Sequence, residues 1–383
     1  MSSRNEILLV GCGGAGGRLV DSICDYNPTF QQFYINTSRT DIFNLNNVDE
    51  KIENYLIATS TTNGVGRDKS LGKALAKQYG LNMIDALENS PQKTLYLTTS
   101  LGGGSGSSIV TVILEGIQQL QEEGEFNKII NLILILPSLK SPKKILENAR
   151  ESWNEIISNP CINSVIFVDN NSKINYTMDE DDKELLVNQD FCQIFDSIFD
   201  IPEEDEGVHF DTRNLRNALN DKGTLYFYNL DNDCSSIEVA FEKAKKESVV
   251  APMFFNDMNM KMDAEGNIYY SCGYLGISFA NEKYNKDFIL NKFKPRNETY
   301  IGTNTENNLL LISGMLPPFD AITLINKEIE DRDKEEDNNK IDFSAFVIGN
   351  NIKNEKEVAI SEEPKHIQKS ITKKKKLRKG LFK

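Results

Sequence analysis

Two glycine-rich loops contain the residue types that could do chemistry in this chain. The first spans residues 11–17 and reads GCGGAGG, and the second spans residues 102–108 and reads GGGSGSS. Each loop follows a short apolar run and precedes a helical pattern, so free backbone N–H groups collect where a helix begins. Such a position favours a phosphate group, because the N–H groups and the helix dipole both attract negative charge. Two of these loops on neighbouring strands suit a nucleoside di- or triphosphate that both of them hold.

The first loop also fits the spacing G-x-G-x-x-G, with Gly11, Gly13 and Gly16. That spacing is typical of dinucleotide sites, which in addition place an acidic residue at the end of the second strand to bind the ribose. Here residues 34–38 read YINTS, and no acid follows before Asp41. A nicotinamide-dependent oxidoreductase is therefore a distant alternative, and a turn that only packs a helix onto a strand is another.

The second loop is the more specific of the two. It is not a Walker loop, because no lysine follows its glycines. Three consecutive glycines cost conformational entropy on folding, so we expect that something must approach this backbone closely. The loop therefore predicts a bound phosphate more strongly than a purely structural turn.

The charge of the chain is unevenly distributed. The 383 residues are 39% hydrophobic and 26% charged, with a formal net charge of −14. Nine of the 43 basic residues lie within residues 364–383, where there is no acid, so the preceding part carries a charge of −23. An acidic body is a poor binder of nucleic acid, whereas the basic tail could bind an anionic partner.

Cysteine usage and hydropathy exclude further classes of protein. The six cysteines are scattered singly and there are only two histidines, which argues against a structural zinc site and for a reducing compartment. The longest apolar run, residues 129–136, is too short to span a bilayer. We expect a soluble, cytoplasmic protein with no bound structural metal and no direct membrane partner.

Short apolar strands alternate with helical patterns in the first half of the chain. Strands are predicted at residues 7–10, 32–35, 94–98, 129–136 and 164–168. Near-continuous apolar strands in this alternation are typical of a parallel sheet with helices on both faces. A long helix is predicted at about residues 181–199, with Leu185 and Phe191 on its apolar face, and a second, smaller α/β unit follows.

These patterns predict an α/β protein with five parts. They are a nucleotide-binding domain at residues 1–180, a central helix and following loop at 181–206, a second domain at 207–320, a charged helical extension at 321–347 and a flexible tail with a basic end at 348–383.

The loops resemble those of the tubulin/FtsZ superfamily in residue type and in order. Residues 101–107, LGGGSGS, are similar to the signature loop G-G-G-T-G-[ST]-G, and residues 11–17 resemble the first phosphate loop. Residues 36–37, 63–67 and 169–171 resemble later loops of the superfamily in the same order. The resemblance covers about residues 5–320. It implies a Rossmann-type GTPase domain, a long central helix, a smaller activation domain and GTP-driven assembly into filaments.

The resemblance also implies which residues bind GTP or GDP, with Mg²⁺ as the expected metal. Asn170 and Asn188 occupy the positions that contact guanine, and the base-stacking aromatic position falls near Glu184 or Leu185, neither of them aromatic. The other implied nucleotide-binding residues are Gly11, Cys12, Gly13, Gly14, Gly16, Asn36, Gly64, Gly66, Leu101, Gly102, Gly103, Gly104, Ser105, Gly106, Lys143 and Lys144. The two lysines stand where FtsZ proteins carry a glutamate and an arginine, so the acid is missing.

Catalysis in the superfamily uses a loop from the next subunit, with the pattern N-x-D-x-x-[DE]. Residues 208–216, VHFDTRNLR, resemble that segment. Asp211 aligns with the first acid and is the implied catalytic residue, whereas Asn214 stands at the second. Asp200 and the acids at 203–206 are alternative water-orienting groups. Asp211 also suits a helix N-cap, and both roles can hold together.

The end of the chain resembles the TubZ-type plasmid and phage segregation tubulins more than FtsZ, which stays the alternative. A charged segment at residues 326–339 precedes the basic tail, as in the TubZ layout. The tail residues implied to recruit a DNA-binding, TubR-like adaptor are Lys373, Lys374, Lys375, Lys376, Arg378 and Lys379. Direct contact with DNA, contact with an acidic neighbouring subunit and a merely solvated terminus remain open for this segment.

Overall fold

The computed structural model describes residues 3–48, 55–56, 64–172, 180–204, 210–250, 257–280, 284–304 and 306–338. The helices are α1 Gly13–Tyr26, α2 Arg39–Phe43, α3 Lys69–Asn89, α4 Ser105–Glu122, α5 Lys143–Ile156, α6 Glu180–Ser197, α7 Ile201–Glu204, α8 Thr212–Leu219, α9 Ile237–Glu247, α10 Asp287–Lys292 and α11 Phe319–Asn338, with 3₁₀ turns at Ser3–Glu6 and Asp257–Asn259. The strands are β1 Ile7–Cys12, β2 Gln31–Asn36, β3 Tyr55–Leu56, β4 Thr94–Ser100, β5 Ile129–Leu136, β6 Ile162–Asp169, β7 Gly223–Asn229, β8 Met260–Met262, β9 Ile268–Cys272, β10 Leu275–Phe279, β11 Phe293–Pro295, β12 Thr299–Thr303 and β13 Asn308–Met315.

Ten strands form one sheet in the order β12-β10-β13-β7-β6-β5-β4-β1-β2-β3. All neighbours from β7 to β3 are parallel. Strand β13 is antiparallel to β7 and β10, and a smaller sheet has the order β11-β9-β8. The α/β fold class predicted from the sequence is confirmed. The division into domains at residues 180 and 207 stays a prediction.

The parallel strands are buried on both faces, which explains their unbroken apolar sequences. Successive residues of β1 point into different cores: Leu8 and Val10 belong to one, whereas Ile7 and Leu9 belong to the other. Residues of α3, α4, α5 and α11 complete the first core, and residues of α1, α6 and α8 complete the second. The sheet therefore lies between two helical layers.

Helix α6 crosses one face of this sheet and matches the predicted long helix. Its buried side is aromatic, with Phe191 and Phe195 stacked at a centroid distance of 5.4 Å. Leu185, which the sequence pattern places on the same face, is instead 53% exposed. The pattern was wrong at that residue, because the apolar core contacts of α6 begin two residues later, with Val187.

Candidate functional site

The two glycine loops lie side by side, at the carboxyl ends of neighbouring strands β1 and β4. A Cβ atom at Gly16 would lie 2.2 Å from the carbonyl oxygen of Thr98, and one at Gly106 would lie 2.3 Å from that of Cys12. Gly13 has a φ of +72°, and its added Cβ would lie 2.7 Å from Gly106. These glycines are required because the two loops contact each other backbone to backbone. The sequence predicts that something approaches the backbone of the second loop closely, and part of that approach is made by the first glycine loop.

Other glycines of the loops leave their backbone open. The nearest atom to a Cβ at Gly103 would be the Ser100 carbonyl oxygen at 3.5 Å, and nothing lies within 4 Å of one at Gly66. Gly14 is less open, because a Cβ there would lie 3.2 Å from Oδ2 of Asp41. A ligand can therefore approach the backbone at Gly66 and Gly103.

Cys12 and Leu101 occupy enclosed positions beside the loops. The Cys12 thiol donates to the Val10 carbonyl oxygen at 3.8 Å, and burial raises its pKa well above the usual range. A neutral, enclosed thiol is a poor nucleophile. Leu101 is buried and its N–H donates to the Ile135 carbonyl oxygen at 3.0 Å, which ties the second loop to β5.

The loop before α3 closes over the second glycine loop. Gly64 and Gly66 both have positive φ, and so does Arg67, with a φ of +69°, the only non-glycine residue in the left-handed region among the described residues. A Cβ at Gly104 would lie 2.6 Å from the Arg67 backbone. Asn148 of α5 donates to the Arg67 carbonyl oxygen at 3.0 Å. Packing and this hydrogen bond hold Arg67 in a strained conformation.

The end of β2 joins the same cluster. Asn36 is buried, and its Nδ2 donates to Oδ2 of Asp41 at 3.4 Å. The hydroxyl groups of Thr37 and Ser105 lie 2.6 Å apart. Gly64 donates its N–H to the Thr37 carbonyl oxygen at 3.3 Å. The structure thus brings four sequence-predicted loops together, whereas Asn63 lies outside the described residues.

A cavity of about 460 Å³ opens beside these loops. Its volume lies within the range of small-molecule sites. The residues that line it are Ala15, Arg18, Arg67, Ser100, Gly102, Gly103, Pro137, Ser138, Lys140, Ser141, Pro142, Ile145, Asn170, Lys183 and Glu184. A larger cavity, of about 650 Å³, lies near the amino ends of β6 and β7 and contains none of the predicted site residues.

Asn170 supplies a free acceptor to the cavity lining. Its Oδ1 atom is buried and has no hydrogen-bond partner among the residues that the structure describes. The side-chain amide of Asn171, by contrast, is already hydrogen-bonded. It accepts from the Leu139 N–H at 2.9 Å and donates to the Pro137 carbonyl oxygen at 3.1 Å. The unsatisfied amide suits a ligand with N–H groups, since an unpaired buried acceptor costs free energy.

The central helix contributes charge rather than an aromatic ring. Lys183 and Glu184 line the cavity, and Glu184 accepts from Arg18 at 2.7 Å. Asn188 is only 5% exposed and is not among the lining residues. Burial raises the pKa of Asp169 at the end of β6, although the Asn171 N–H groups and Lys183 oppose that rise.

The lysines after Pro142 lie outside the cavity lining. Lys143 forms an ion pair with Asp333 of α11, and Lys144 is exposed. The positive side chains that line the cavity are those of Arg18, Arg67, Lys140 and Lys183. None of these four was predicted from the sequence as ligand-facing, and the only signal for any of them is the loop at 63–67, in which Gly64 and Gly66 precede Arg67.

Asp211 lies at the other end of the parallel sheet. It caps α8, because its carboxylate accepts from the Asn214 N–H at 2.8 Å, and its side chain is exposed. The next residues of α8 contact the amino ends of β1 and β4, where Arg216 forms an ion pair with Glu6. The predicted N-cap role of Asp211 is confirmed.

Asp200 is engaged elsewhere, since Arg4 donates to it at 2.5 Å and to Asp196 at 2.7 Å. The side chains at 203–206 and the tail residues Lys373, Lys374, Lys375, Lys376, Arg378 and Lys379 lie outside the described residues. Among the residues that the structure describes, no group of three or more His, Cys, Asp or Glu side chains could hold a metal ion. No described helix is long and apolar enough to cross a membrane.

Comparison with known proteins gives a consistent result. Residues 6–177 match the model of the tubulin/FtsZ family GTPase domain. The tubulin-like protein TubZ of Clostridium botulinum C phage is 25% identical over 338 residues, which are 87% of this chain and 85% of that protein.

Two solved structures share the fold. The tail-truncated TubZ of Clostridium botulinum phage c-st superposes with a TM-score of 0.72 at 24% identity, covering 87% of this chain and 99% of that one. The GTPγS-form protofilament of TubZ from Bacillus thuringiensis serovar israelensis has a TM-score of 0.65 at 17% identity, covering 86% and 90%. Residues 6–177 are therefore a GTPase domain of the tubulin/FtsZ family, and the chain is similar to TubZ over most of its length.

Proposed function

We propose that the protein hydrolyses GTP at a site that two copies complete when they assemble head to tail. The observation that carries this proposal is the placement of the two halves of the site. The glycine loops follow the carboxyl ends of β1 and β4, whereas α8, which Asp211 caps, lies at their amino ends, where Thr212 and Arg216 share a cleft with Ile7 and Thr94. Strand β4 has seven residues, so roughly 20 Å of sheet separates the two ends. Asp211 therefore acts on the nucleotide of another copy.

The cavity provides the contacts that a guanine nucleotide needs. The open backbone at Gly103 binds phosphate oxygens, and Arg67 faces the terminal phosphate because it lines the cavity beside the second glycine loop. Lys140 adds positive charge in the position first assigned to Lys143 and Lys144. At the other end of the cavity, the free Oδ1 of Asn170 accepts from the guanine edge.

Asn188 and a metal ion have more limited support. Asn188 is buried on α6 near this end of the cavity, and contact with guanine would require it to turn outward. Magnesium usually keeps several waters and binds one or two carboxylates together with substrate phosphates. The Asp41 carboxylate beside Gly14 fits that requirement, so Mg²⁺ would neutralise phosphate charge there.

The reaction is a transfer of the terminal phosphoryl group to water. The Asp211 carboxylate of one copy accepts a hydrogen bond from the water and orients it. The water oxygen forms a bond to the γ-phosphorus, and the bond from that phosphorus to the bridging oxygen breaks. GDP and phosphate leave, and the water proton ends on the phosphate. Residue 214 is an asparagine, so Asp211 is the only carboxylate that this loop offers among the described residues.

The filament would act in the cytoplasm to move or position plasmid or phage DNA. Similarity to TubZ over 87% of the chain favours this role over the alternative of cell division by an FtsZ-like protein. The basic residues 373–379 would bind a TubR-like DNA-binding adaptor, since five lysines and an arginine flank Leu377 and would offer a partner both positive charge and an apolar side chain.

Turnover measured against protein concentration tests this function. Phosphate release per subunit should be near zero below a critical concentration and should rise above it. Electron microscopy should be carried out with GTP, with a slowly hydrolysed analogue and with GDP. Filaments formed with GTP should be shorter than those formed with the analogue, because hydrolysis shortens them. A specific activity that does not change with concentration would contradict the shared site.

A further inference from the structure

Helix α11 connects the end of the described chain to the body of the protein. Its apolar face packs on α5, with Ile325 and Ile329 buried in the core and Phe319 in edge contact with Trp153 at a centroid distance of 6.1 Å. The helix ends at Asn338, and the remaining residues, which include the basic segment, follow directly. The first part of α11 is thus packed into the core, and its last residue, Asn338, directly precedes the tail.

One side chain of α11 reaches the loop between β5 and α5. Arg332 donates from Nη1 to the Ser141 carbonyl oxygen at 2.5 Å and from Nη2 to the Leu139 carbonyl oxygen at 2.5 Å. Its Nε donates to Glu328, one turn earlier, at 2.8 Å. The side chain is 23% exposed, and all three guanidinium nitrogens are engaged. A guanidinium forms such a fork because its donors are held in one plane.

The loop that Arg332 holds is a wall of the nucleotide cavity. Residues 137, 138, 140, 141 and 142 all line it. Asn171 fixes the opposite side of this loop through the Pro137 carbonyl oxygen and the Leu139 N–H. The two carbonyl groups that Arg332 binds flank Lys140, so they fix the direction in which Lys140 leaves the backbone. Lys143, next to the loop, is paired with Asp333 of the same helix.

We propose that Arg332 is a positioning residue for the nucleotide: it holds the 137–142 loop in the conformation that binds GTP and GDP. This inference rests on the proposed function, since it names a further residue of the same site. Charge-assisted hydrogen bonds to both carbonyls set the loop before the nucleotide arrives, so binding costs less ordering of the chain. Because such coupling is reciprocal, a partner that displaces the end of α11 weakens nucleotide binding, and a bound nucleotide opposes that displacement.

The test is the affinity of full-length Arg332→Ala for fluorescently labelled GDP, measured below the assembly concentration. We expect the Kd to rise about tenfold, a usual size for a coupling of this kind. The KM for GTP should rise likewise, whereas kcat at saturating GTP and protein should stay within about twofold. Arg332→Lys should recover part of the affinity, because an ammonium group can replace one of the two loop contacts.

The matched control is Lys334→Ala on the same helix. Lys334 is exposed and pairs only with Asp331 three residues earlier among the contacts that the structure shows, so its removal should leave the Kd unchanged. Arg332→Gln, which keeps the side-chain stem, separates loss of the loop contacts from loss of packing on α11. Equal GDP affinities for the wild type, Arg332→Ala and Arg332→Gln would overturn the positioning role. A wild type that binds no guanine nucleotide would instead refute the proposed function.

Discussion

The two ends of the parallel sheet are built in opposite ways. At the carboxyl ends of the strands, glycine loops press against each other so closely that a single methyl group at Gly16 or Gly106 would collide with a carbonyl oxygen. At the amino ends, Asp211 and Arg216 lie on the exposed side of a short helix. One end is an enclosed cradle that the chain completes by itself, and the other is a surface that presents a carboxylate to solvent.

This difference indicates which step a single copy can carry out alone and which step needs a second copy. In the proposed function, nucleotide binding needs only the packed end, so a single copy should bind GTP. Hydrolysis is proposed to need both ends, so it should depend on a second copy. Changes at the packed end should therefore affect folding or nucleotide binding, whereas changes at the exposed end should lower turnover and leave nucleotide binding unchanged.

Gly106→Ala should produce the largest effect, because its Cβ would lie 2.3 Å from the Cys12 carbonyl oxygen and 2.5 Å from the Thr99 hydroxyl. Overpacking of this kind costs roughly 1–3 kcal/mol or more of the free energy of unfolding and should abolish GTP binding. Thermal unfolding and binding of labelled GDP measure the two effects. Gly103→Ala is the control, because its Cβ meets no atom closer than 3.5 Å and stability should be unchanged. Equal stabilities of the two variants would contradict the distinction between packed and open glycines.

Asp211→Asn should lower turnover about a hundredfold without affecting folding or GDP binding. Asparagine caps helices as well as aspartate does, so the bond to the Asn214 N–H is kept while the charge that orients water is lost. Phosphate release and filament lifetime measure the outcome, and the filaments should persist. Asp211→Ala removes the cap as well and should cost about 1 kcal/mol of stability in addition. Turnover of Asp211→Asn at the wild-type rate would leave Asp211 with its capping role alone.

Arg67→Gly should weaken GTP binding about tenfold and GDP binding less, because the guanidinium is proposed to face the terminal phosphate. The same change should stabilise the fold by roughly 1 kcal/mol, since glycine adopts a φ of +69° without strain. Competition binding and thermal unfolding separate these opposite effects. Arg67→Lys keeps the charge and should retain most of the GTP affinity. If Arg67→Gly binds GTP and GDP with unchanged affinities, Arg67 does not contact the phosphate.

Deletion of residues 364–383 should have the smallest effect on turnover, within about twofold. The nine basic residues of this segment are proposed to bind the adaptor, and neither half of the proposed catalytic site includes them. Co-sedimentation of filaments with a TubR-like adaptor and its DNA measures the loss. Retained co-sedimentation would assign the adaptor to another surface.

Much of the sheet could be predicted because its strands are short, apolar and separated by glycine or polar loops, as the identical predicted and observed bounds of β5 illustrate. Helix α3 was not predicted. Gly72 and Gly80 interrupt its pattern, and Gly72 is needed because a Cβ there would lie 2.6 Å from the Gly104 carbonyl oxygen. That requirement comes from tertiary packing, which local sequence does not reveal.

The candidate site, like the fold, has a part that could be predicted from the sequence and a part that could not. The glycine loops were visible because they are continuous in sequence. Three separate helices supply side chains to the cavity or its wall, namely Arg18, Lys183 and Arg332. The local sequence around each of them does not differ from that around an ordinary surface residue. The pairing of Lys143 with Asp333 likewise joins residues that are far apart in the chain. Contacts of this kind depend on how the helices pack against the sheet.

A mixing experiment tests the shared site most directly. Asp211→Asn keeps an intact nucleotide cavity, whereas Gly103→Asp keeps Asp211 and places a carboxylate where the phosphates would bind. Each variant alone should release little phosphate. In an equimolar mixture, Asp211 of the second variant should act on GTP held by the first, so turnover should rise well above the sum of the two. A mixture that releases no more phosphate than that sum would contradict a site completed by two copies.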